Sequence, residues 1–436
     1  MLENMQLRFT KLLQLDFTII VLISLSFLYR TAYSVILSNQ MSGQDAATYG
    51  PAAQRILEYG PFATKVGAPY WAIGYPWFIS IIWKVFGVNS HVVGIVQNIL
   101  LALAIFVFYK IVKLFFNNRI ATITVLILIV NPALTASASL IAYESPMMSF
   151  LIFGFYFLVK ASRMKESNSK NYFLSILASG ICFTVSVTFQ PKILLSVLVI
   201  VMTLFLKSHT QPIQWKKWSG LVLILVILST GPSAAILRNW KAGDGVGYTA
   251  NFYANVQLGA TNAGVKFDFS KCPGSTFDSL KRTFCILEKK LESPNASIKS
   301  AIHNGLYFWT PYVGNLKYMG TWFHGGDFRR VTPWYKWNDK TSKWYLIDRV
   351  TGYLWTFSII TLMLLGLKYA RRLRPDMESI ILFGSPVILL WGVSLISYGE
   401  ARYRLPILPF YTVFIAVALK TLSEKYFDRR KFSDAT

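Results

Sequence analysis

Residues 17–37 read FTIIVLISLSFLYRTAYSVIL, and just past them residues 42–60 read SGQDAATYGPAAQRILEYG. The first run is apolar over the roughly 20 residues that a bilayer-spanning helix requires. The second carries Asp45, the first carboxylate after that run, followed by a short amphipathic stretch. A carboxylate delivered to a membrane surface ahead of an amphipathic helix is the feature around which the rest of the chain is read.

The composition agrees with a membrane scaffold. Of 436 residues, 54% are hydrophobic, 16% aromatic and only 15% charged, where soluble domains carry about a quarter charged residues. The formal net charge of +24 would point to nucleic acid in a soluble protein. Here it fits Lys and Arg in cytoplasmic loops and basic groups facing lipid phosphates. No RNA-binding motif and no run of basic residues interleaved with aromatics occurs, so nucleic acid is not an expected partner. Of the three cysteines, Cys182 lies in an apolar run, whereas Cys272 and Cys285 lie in a polar region placed outside the cytoplasm, where a disulfide is permitted. The first apolar run is long and lacks a small-residue cleavage site, so it reads as a retained helix.

Taken in order, the spans alternate across the membrane. Arg8 and Lys11 put the N-terminus in the cytoplasm, and span 17–37 runs outward to a first outer loop over 38–90. Within it, residues 67–87 are apolar but contain Pro69, Pro76 and several Trp and Tyr, which favour the lipid–water boundary. They read as a surface helix. Counting them as a span would turn Lys110, Lys113 and Arg119 outward. Further spans are expected at 91–116, 120–137, 145–161, 173–189, 193–206, 218–237, 344–367, 379–398 and 405–422, about ten in all with both termini inside. Lys368, Arg371, Arg372 and Arg374 give the strongest cytoplasmic signal. Residues 238–343 have no spanning run. Their length exceeds that of an ordinary loop, so a folded extracytoplasmic subdomain is expected. Three parts follow: a transmembrane core over 1–237, this subdomain, and C-terminal transmembrane helices over 344–436. No inverted repeat of the kind found in many transporters is apparent.

Under this topology distant segments bring Asp45, Arg55, Glu58, Lys65, Glu144, Lys192, Arg238, Lys241, Glu400, Arg402 and Arg404 to the outer surface. Charge at membrane depth is costly unless it is paired or functional. A carboxylate such as Asp45 can take a proton from an acceptor hydroxyl, while Arg and Lys hold a lipid phosphate. Glycosyl transfer from a lipid phosphate fits this inventory, because the leaving phosphate needs cations rather than a proton donor. One base would suffice, with inversion at the anomeric carbon. Structural uses compete at each position. Asp45 stands where an N-cap is common, Glu144 can serve a helix dipole, Arg402 and Arg404 can anchor a helix end, and Lys192 can snorkel. His303 and His324 are isolated, without zinc-ligand spacing. The Trp and Tyr of 307–344 suit aromatic packing, or a sugar or lipid cleft.

At these residues the chain resembles the GT-C-fold membrane glycosyltransferases, in the branch of the protein O-mannosyltransferases and the lipid A aminoarabinose transferase. The motifs in order are Asp45, Tyr49, Ala53 and Gly60, then PYWAIGYPWF containing Tyr75, then Glu144 at the start of a later span. ILRNW at 236–240, ANVQLGATNAG at 254–264 and GEARYRLPILPF at 399–410 follow. The resemblance runs over nearly the whole chain. It departs from the family where Gly74-Tyr75-Pro76 stands in place of paired prolines. It implies an all-α polytopic GT-C-like fold and a donor sugar on polyprenyl phosphate, transferred on the extracytoplasmic face. Asp45 takes the catalytic position, and Arg55 and Lys65 are candidates for the lipid phosphate, with Arg402, Lys192 and Arg238 beside them. Glu144 would orient acceptor or sugar, and Tyr49, Tyr75, Glu400 and Tyr403 would line the substrate. Metal-dependent relatives carry a second carboxylate close to the first-loop Asp. Here Ala46 and Ala47 follow, which cannot ligate, and a hard cation needs several oxygens, so no cofactor is expected unless Glu144 supplies a second ligand to a divalent metal.

The expectation is therefore an integral membrane glycosyltransferase of a bacterial inner membrane, facing the periplasm or exterior, with a glycan, lipid or protein acceptor. In an endoplasmic reticulum, Asn295-Ala296-Ser297 would be a glycosylation sequon. The rivals are a flippase for a lipid-linked sugar and a lipid-pyrophosphate glycan polymerase or ligase. The second is kept open by Arg329 and Arg330 near His324.

Overall fold

The computed structural model of the chain describes residues 2–36, 46–62, 72–164, 169–206, 215–241, 251–272, 280–309, 343–373, 377–399 and 401–433. Among these, the regular structure is helical: α1 Leu2–Ile36, α2 Ala46–Tyr59, α3 Gly74–Phe86, α4 Ser90–Phe115, α5 Asn118–Ile129, α6 Pro132–Ser139, α7 Glu144–Ser162, α8 Ser169–Phe189, α9 Leu194–Leu206, α10 Trp215–Lys241, α11 Asn251–Asn262, α12 Leu280–Glu292, α13 Pro294–Trp309, α14 Lys343–Leu373, α15 Met377–Ile396 and α16 Leu408–Ser433. Short 3-10 segments occupy Pro191–Ile193 and Ala401–Ile407.

Eight helices among the described residues are long and apolar enough to cross a membrane, or up to nine if one bent pair counts as a span. The chain is an integral membrane protein. The expected span at 120–137 is instead that bent pair, Asn118–Ile129 and Ala133–Ser139, meeting at 63°. Pro132 has no N–H to continue α5, and the Asn131 side chain accepts from the Leu134 amide at 3.1 Å, capping α6. The expected span at 193–206 is the 13-residue helix α9. At 1.5 Å per residue it reaches only about 20 Å, short of a roughly 30 Å hydrocarbon core. Both differences arise because hydropathy counts apolar residues and does not see where the helix breaks.

The bend is held from α1. The buried Arg30 donates through Nη2 to the Leu128 and Ile129 carbonyls at 2.9 and 3.1 Å, and through Nε to Thr135 Oγ1 at 3.3 Å. These carbonyls end α5, where Leu128 otherwise accepts only at long range from the Asn131 amide at 3.4 Å and Ile129 from Ser26 Oγ at 3.5 Å. In lipid an unsatisfied carbonyl costs several kcal/mol, so a fixed guanidinium fork suits the position.

The bundle core is aromatic where α4, α7, α15 and α16 meet. Phe383 packs against Phe115 and Phe155, both at 5.7 Å between centroids, and Phe108 against Phe410 at 5.8 Å. Helices in lipid gain little from hydrophobic exclusion, so close van der Waals fit carries association. The helix α3, within the surface stretch expected at 67–87, is 13 residues long. Tyr75, Ile79, Ile82 and Trp83 face the core, while Ile81, Val85 and Phe86 are exposed.

Within the 238–343 segment, α10 continues to Lys241, and α11, α12 and α13 form a small helical cluster. Cys272 and Cys285 are joined by a disulfide, beside Val256, Phe269 and Ile286. Of the aromatic stretch 307–344, Phe308 is buried in the main core and Trp309 packs on Tyr411 at 5.9 Å. Residues 310–342, with His324, Arg329 and Arg330, lie outside the described residues.

Candidate active site

Glu144 is the first residue of α7 and is 2% exposed. A helix N-terminus favours a carboxylate through its free amides and its dipole. A buried carboxylate is still costly unless paired. Arg402, from the segment Ala401–Ile407, brings its Nε to 3.8 Å from Glu144 Oε1, and its side chain is 26% exposed. Sequence separation between the partners is large, and the fold alone brings them together.

Three tyrosines wall the carboxylate. Tyr49 from α2 meets Tyr75 from α3 edge-on at 5.0 Å, and Tyr143 stands 6.2 Å from the first and 6.3 Å from the second. All are buried. Burial, and then the charge of Glu144, push their hydroxyls well above the usual phenol range. They are neutral donors at any working pH. Amides hold two of them. Tyr75 donates to Gln97 Oε1 at 2.7 Å, and Gln97 donates to the carbonyls of Ala138 and Leu140 at 3.1 and 2.7 Å. Gln190 donates to the Tyr143 hydroxyl oxygen at 3.1 Å.

A second cation lies nearby. Lys192 Nζ is 4.4 Å from the Tyr403 ring centre and donates to the Tyr398 carbonyl at 3.3 Å. The Arg402 guanidinium is 5.4 Å from the same ring. Both cations therefore rest against Tyr403, an arrangement that holds positive charge without neutralising it. A buried acid, neutral phenol donors and two cations can bind a phosphate and hydroxyls together.

Of the residues expected at the site, Glu144, Arg402, Tyr403, Lys192, Tyr49 and Tyr75 come together. Arg55 is exposed on α2, whose buried face carries Tyr49, Ala53 and Ile56. Arg238 is fully buried in the last turn of α10 and donates to Asn239 Oδ1 at 2.9 Å. Asp45, Lys65 and Glu400 lie outside the described residues, and α2 begins at Ala46. Sequence reasoning missed Tyr143, Gln97 and Gln190. Gln97 and Asn98, adjacent amides inside an apolar run, were the available signal, because polar groups in a span usually bridge helices. Among the described residues no group of three or more His, Cys, Asp or Glu could hold a metal.

A family model described as dolichyl-phosphate-mannose-protein mannosyltransferase matches residues 71–231, under half of the chain. No curated protein matches the chain. Among solved structures, the chain is similar to the oligosaccharyltransferase of Archaeoglobus fulgidus in the apo form, with 13% identity and a TM-score of 0.50 over 96% of this chain and 52% of that one. It is also similar to ArnT from Cupriavidus metallidurans bound to undecaprenyl phosphate, with 14% identity and a TM-score of 0.48 over 95% of this chain and 62% of that one. The chain thus spans between about half and three fifths of these proteins' lengths. The class is an all-α polytopic membrane protein with a GT-C-like fold. This likeness shows the fold alone and assigns no particular branch.

Proposed function

We propose that the chain transfers a sugar from a polyprenyl-phosphate donor to an acceptor hydroxyl, with inversion, on the extracytoplasmic face of a bacterial inner membrane. Asp45 takes the proton of the acceptor hydroxyl as its oxygen attacks the anomeric carbon. The bond from that carbon to the phosphate oxygen breaks, and the phosphate leaves with the electron pair. Arg402 and Lys192 hold its charge, Arg through its fork and Lys as a point charge. Glu144 and the Tyr49, Tyr75 and Tyr143 hydroxyls orient sugar or acceptor. The motifs resemble those of the branch of protein O-mannosyltransferases and the lipid A aminoarabinose transferase, and the acceptor is a glycan, lipid or protein.

One observation carries this reading. A buried carboxylate, Glu144, opens a helix and is faced by a cation at 3.8 Å. The surrounding tyrosines include Tyr49, four residues beyond Asp45. A second cation, Lys192, stands on the neighbouring Tyr403 ring, and a phosphate would use both.

The test is Arg402→Ala, assayed in membranes with a donor titration. A charge-assisted hydrogen bond contributes about 1.5–3 kcal/mol, so KM for the donor should rise on the order of tenfold or more. KM for the acceptor should stay near its original value. An unchanged donor KM would remove Arg402 from the phosphate site.

A further inference from the structure

The chain entering the Arg402 segment is held by an unusual set of contacts. Helix α15 ends at Ile396, and its last carbonyls lack intrahelical donors. Three consecutive carbonyls there each receive a side chain from a different element. Lys290 of α12 donates to the Ile396 carbonyl at 2.6 Å. Asn304 of α13 donates to the Ser397 carbonyl at 2.9 Å. Lys192, beside α9, donates to the Tyr398 carbonyl at 3.3 Å. Cations at a helix C-terminus also gain from its dipole. Lys290 is buried, with 7% exposure, so this is no loose surface contact.

The grip extends past Arg402. Arg404, also buried, donates to the Phe308 carbonyl at 3.0 Å, the last turn of α13. The arm therefore grips α13 on one side of Arg402 and is gripped by α12 and α13 on the other. The backbones approach so closely that only glycine fits at two places. A Cβ on Gly259 of α11 would collide with the Ser397 carbonyl oxygen, and one on Gly399 with the Asn304 carbonyl oxygen. His303, Tyr307, Tyr398 and Tyr403 continue the contact as a ladder of rings at 5.9, 5.8 and 6.1 Å.

The cluster that supplies these donors is pinned by the Cys272–Cys285 disulfide, and Lys290 lies on the same helix as Cys285. Phe267, next to that disulfide in the small core, lies 5.6 Å from Lys290 Nζ. We infer that Lys290 and Asn304 are positioning residues: the disulfide-bonded α11–α13 cluster sets where the arm bearing Arg402 stands relative to Glu144. The inference deepens the proposed glycosyl transfer and rests on it for its catalytic consequence, but its geometric part stands independently.

The experiment uses the full chain with Ala401→Cys in a Cys182→Ser background, so that the arm carries the free thiol while Cys272 and Cys285 stay joined. Maleimide labelling is measured alone and with Lys290→Met, Lys290→Arg or Asn304→Ala. Loss of one charged hydrogen bond should change the labelling rate about tenfold in Lys290→Met, with Asn304→Ala moving the same way and Lys290→Arg restoring it. Sugar transfer is then measured for Lys290→Met with and without Arg402→Ala. A residue acting through Arg402 should lose on the order of tenfold in the first background and little in the second. Unchanged labelling in both Lys290→Met and Asn304→Ala, or activity losses that add fully, would overturn the inference. If no variant transfers sugar, wild type included, the glycosyltransferase reading falls and labelling alone decides the clamp.

Discussion

Asp45→Asn is expected to reduce sugar transfer by about 10²–10⁴-fold while the protein inserts normally. Asparagine keeps the size of aspartate and one acceptor oxygen but cannot take a proton. The acceptor hydroxyl would then have to attack with its proton in place. Donor KM should change little, because the phosphate is held elsewhere, so the loss belongs in kcat. Initial rates in membranes, normalised to inserted protein, check this. Full activity in the variant would remove Asp45 as the base.

The second large effect concerns Glu144. Its carboxylate is almost fully buried and is faced by a partly exposed Arg402 at 3.8 Å. Removing one partner of a buried pair usually costs about 2–5 kcal/mol, and the exposure of Arg402 places this pair at the low end. A charge-assisted hydrogen bond from its carboxylate to sugar or acceptor that strengthens in the transition state contributes about 2 kcal/mol, so Glu144→Gln should lower kcat roughly thirtyfold. The stability consequence is asymmetric. Arg402→Ala leaves a buried charge behind, whereas Glu144→Gln leaves a cation that can turn to water. Thermal unfolding in detergent should rank Arg402→Ala below Glu144→Gln, and the double variant should regain part of the loss. A double variant no more stable than Arg402→Ala would show that this ion pair does not settle the carboxylate.

Most of the scaffold is legible in the sequence because membrane spans depend on composition over a fixed length. The spans expected at 17–37, 91–116, 145–161 and 379–398 overlap the membrane-crossing helices Asp16–Val35, Ser90–Phe115, Glu144–Ser162 and Met377–Ile396. Against the ten expected, eight or nine helices among the described residues are long and apolar enough to cross, and the difference falls where composition is silent about breaks. Asn131-Pro132 splits one apolar run, and the run after Pro191 is too short to cross. The convergence of Glu144, Arg402 and Lys192 was legible because charge near a membrane is rare enough to be noticed one residue at a time, whereas Tyr403 came from the resemblance. The supports behind them were not. Gln97 aims Tyr75, Arg30 holds the α5 end, and Lys290 and Asn304 grip consecutive carbonyls. A side chain that caps a distant carbonyl has no spacing signature, since its partner is a backbone atom that every residue carries. Arg30 sits inside an otherwise apolar span, and intramembrane charge is itself a signal. Here it marks a backbone break, bonding the Leu128 and Ile129 carbonyls and Thr135 Oγ1.

The most direct test of the central claim is a panel of radiolabelled polyprenyl-phosphate sugars, added to sealed membranes containing the wild-type chain and scored for both label transfer and label position across the bilayer. One donor is expected to lose its sugar to a membrane or envelope acceptor as free polyprenyl phosphate accumulates in equal amount. Intact lipid-linked sugar appearing on the opposite leaflet, with no donor cleaved, would contradict that claim and make the chain a flippase.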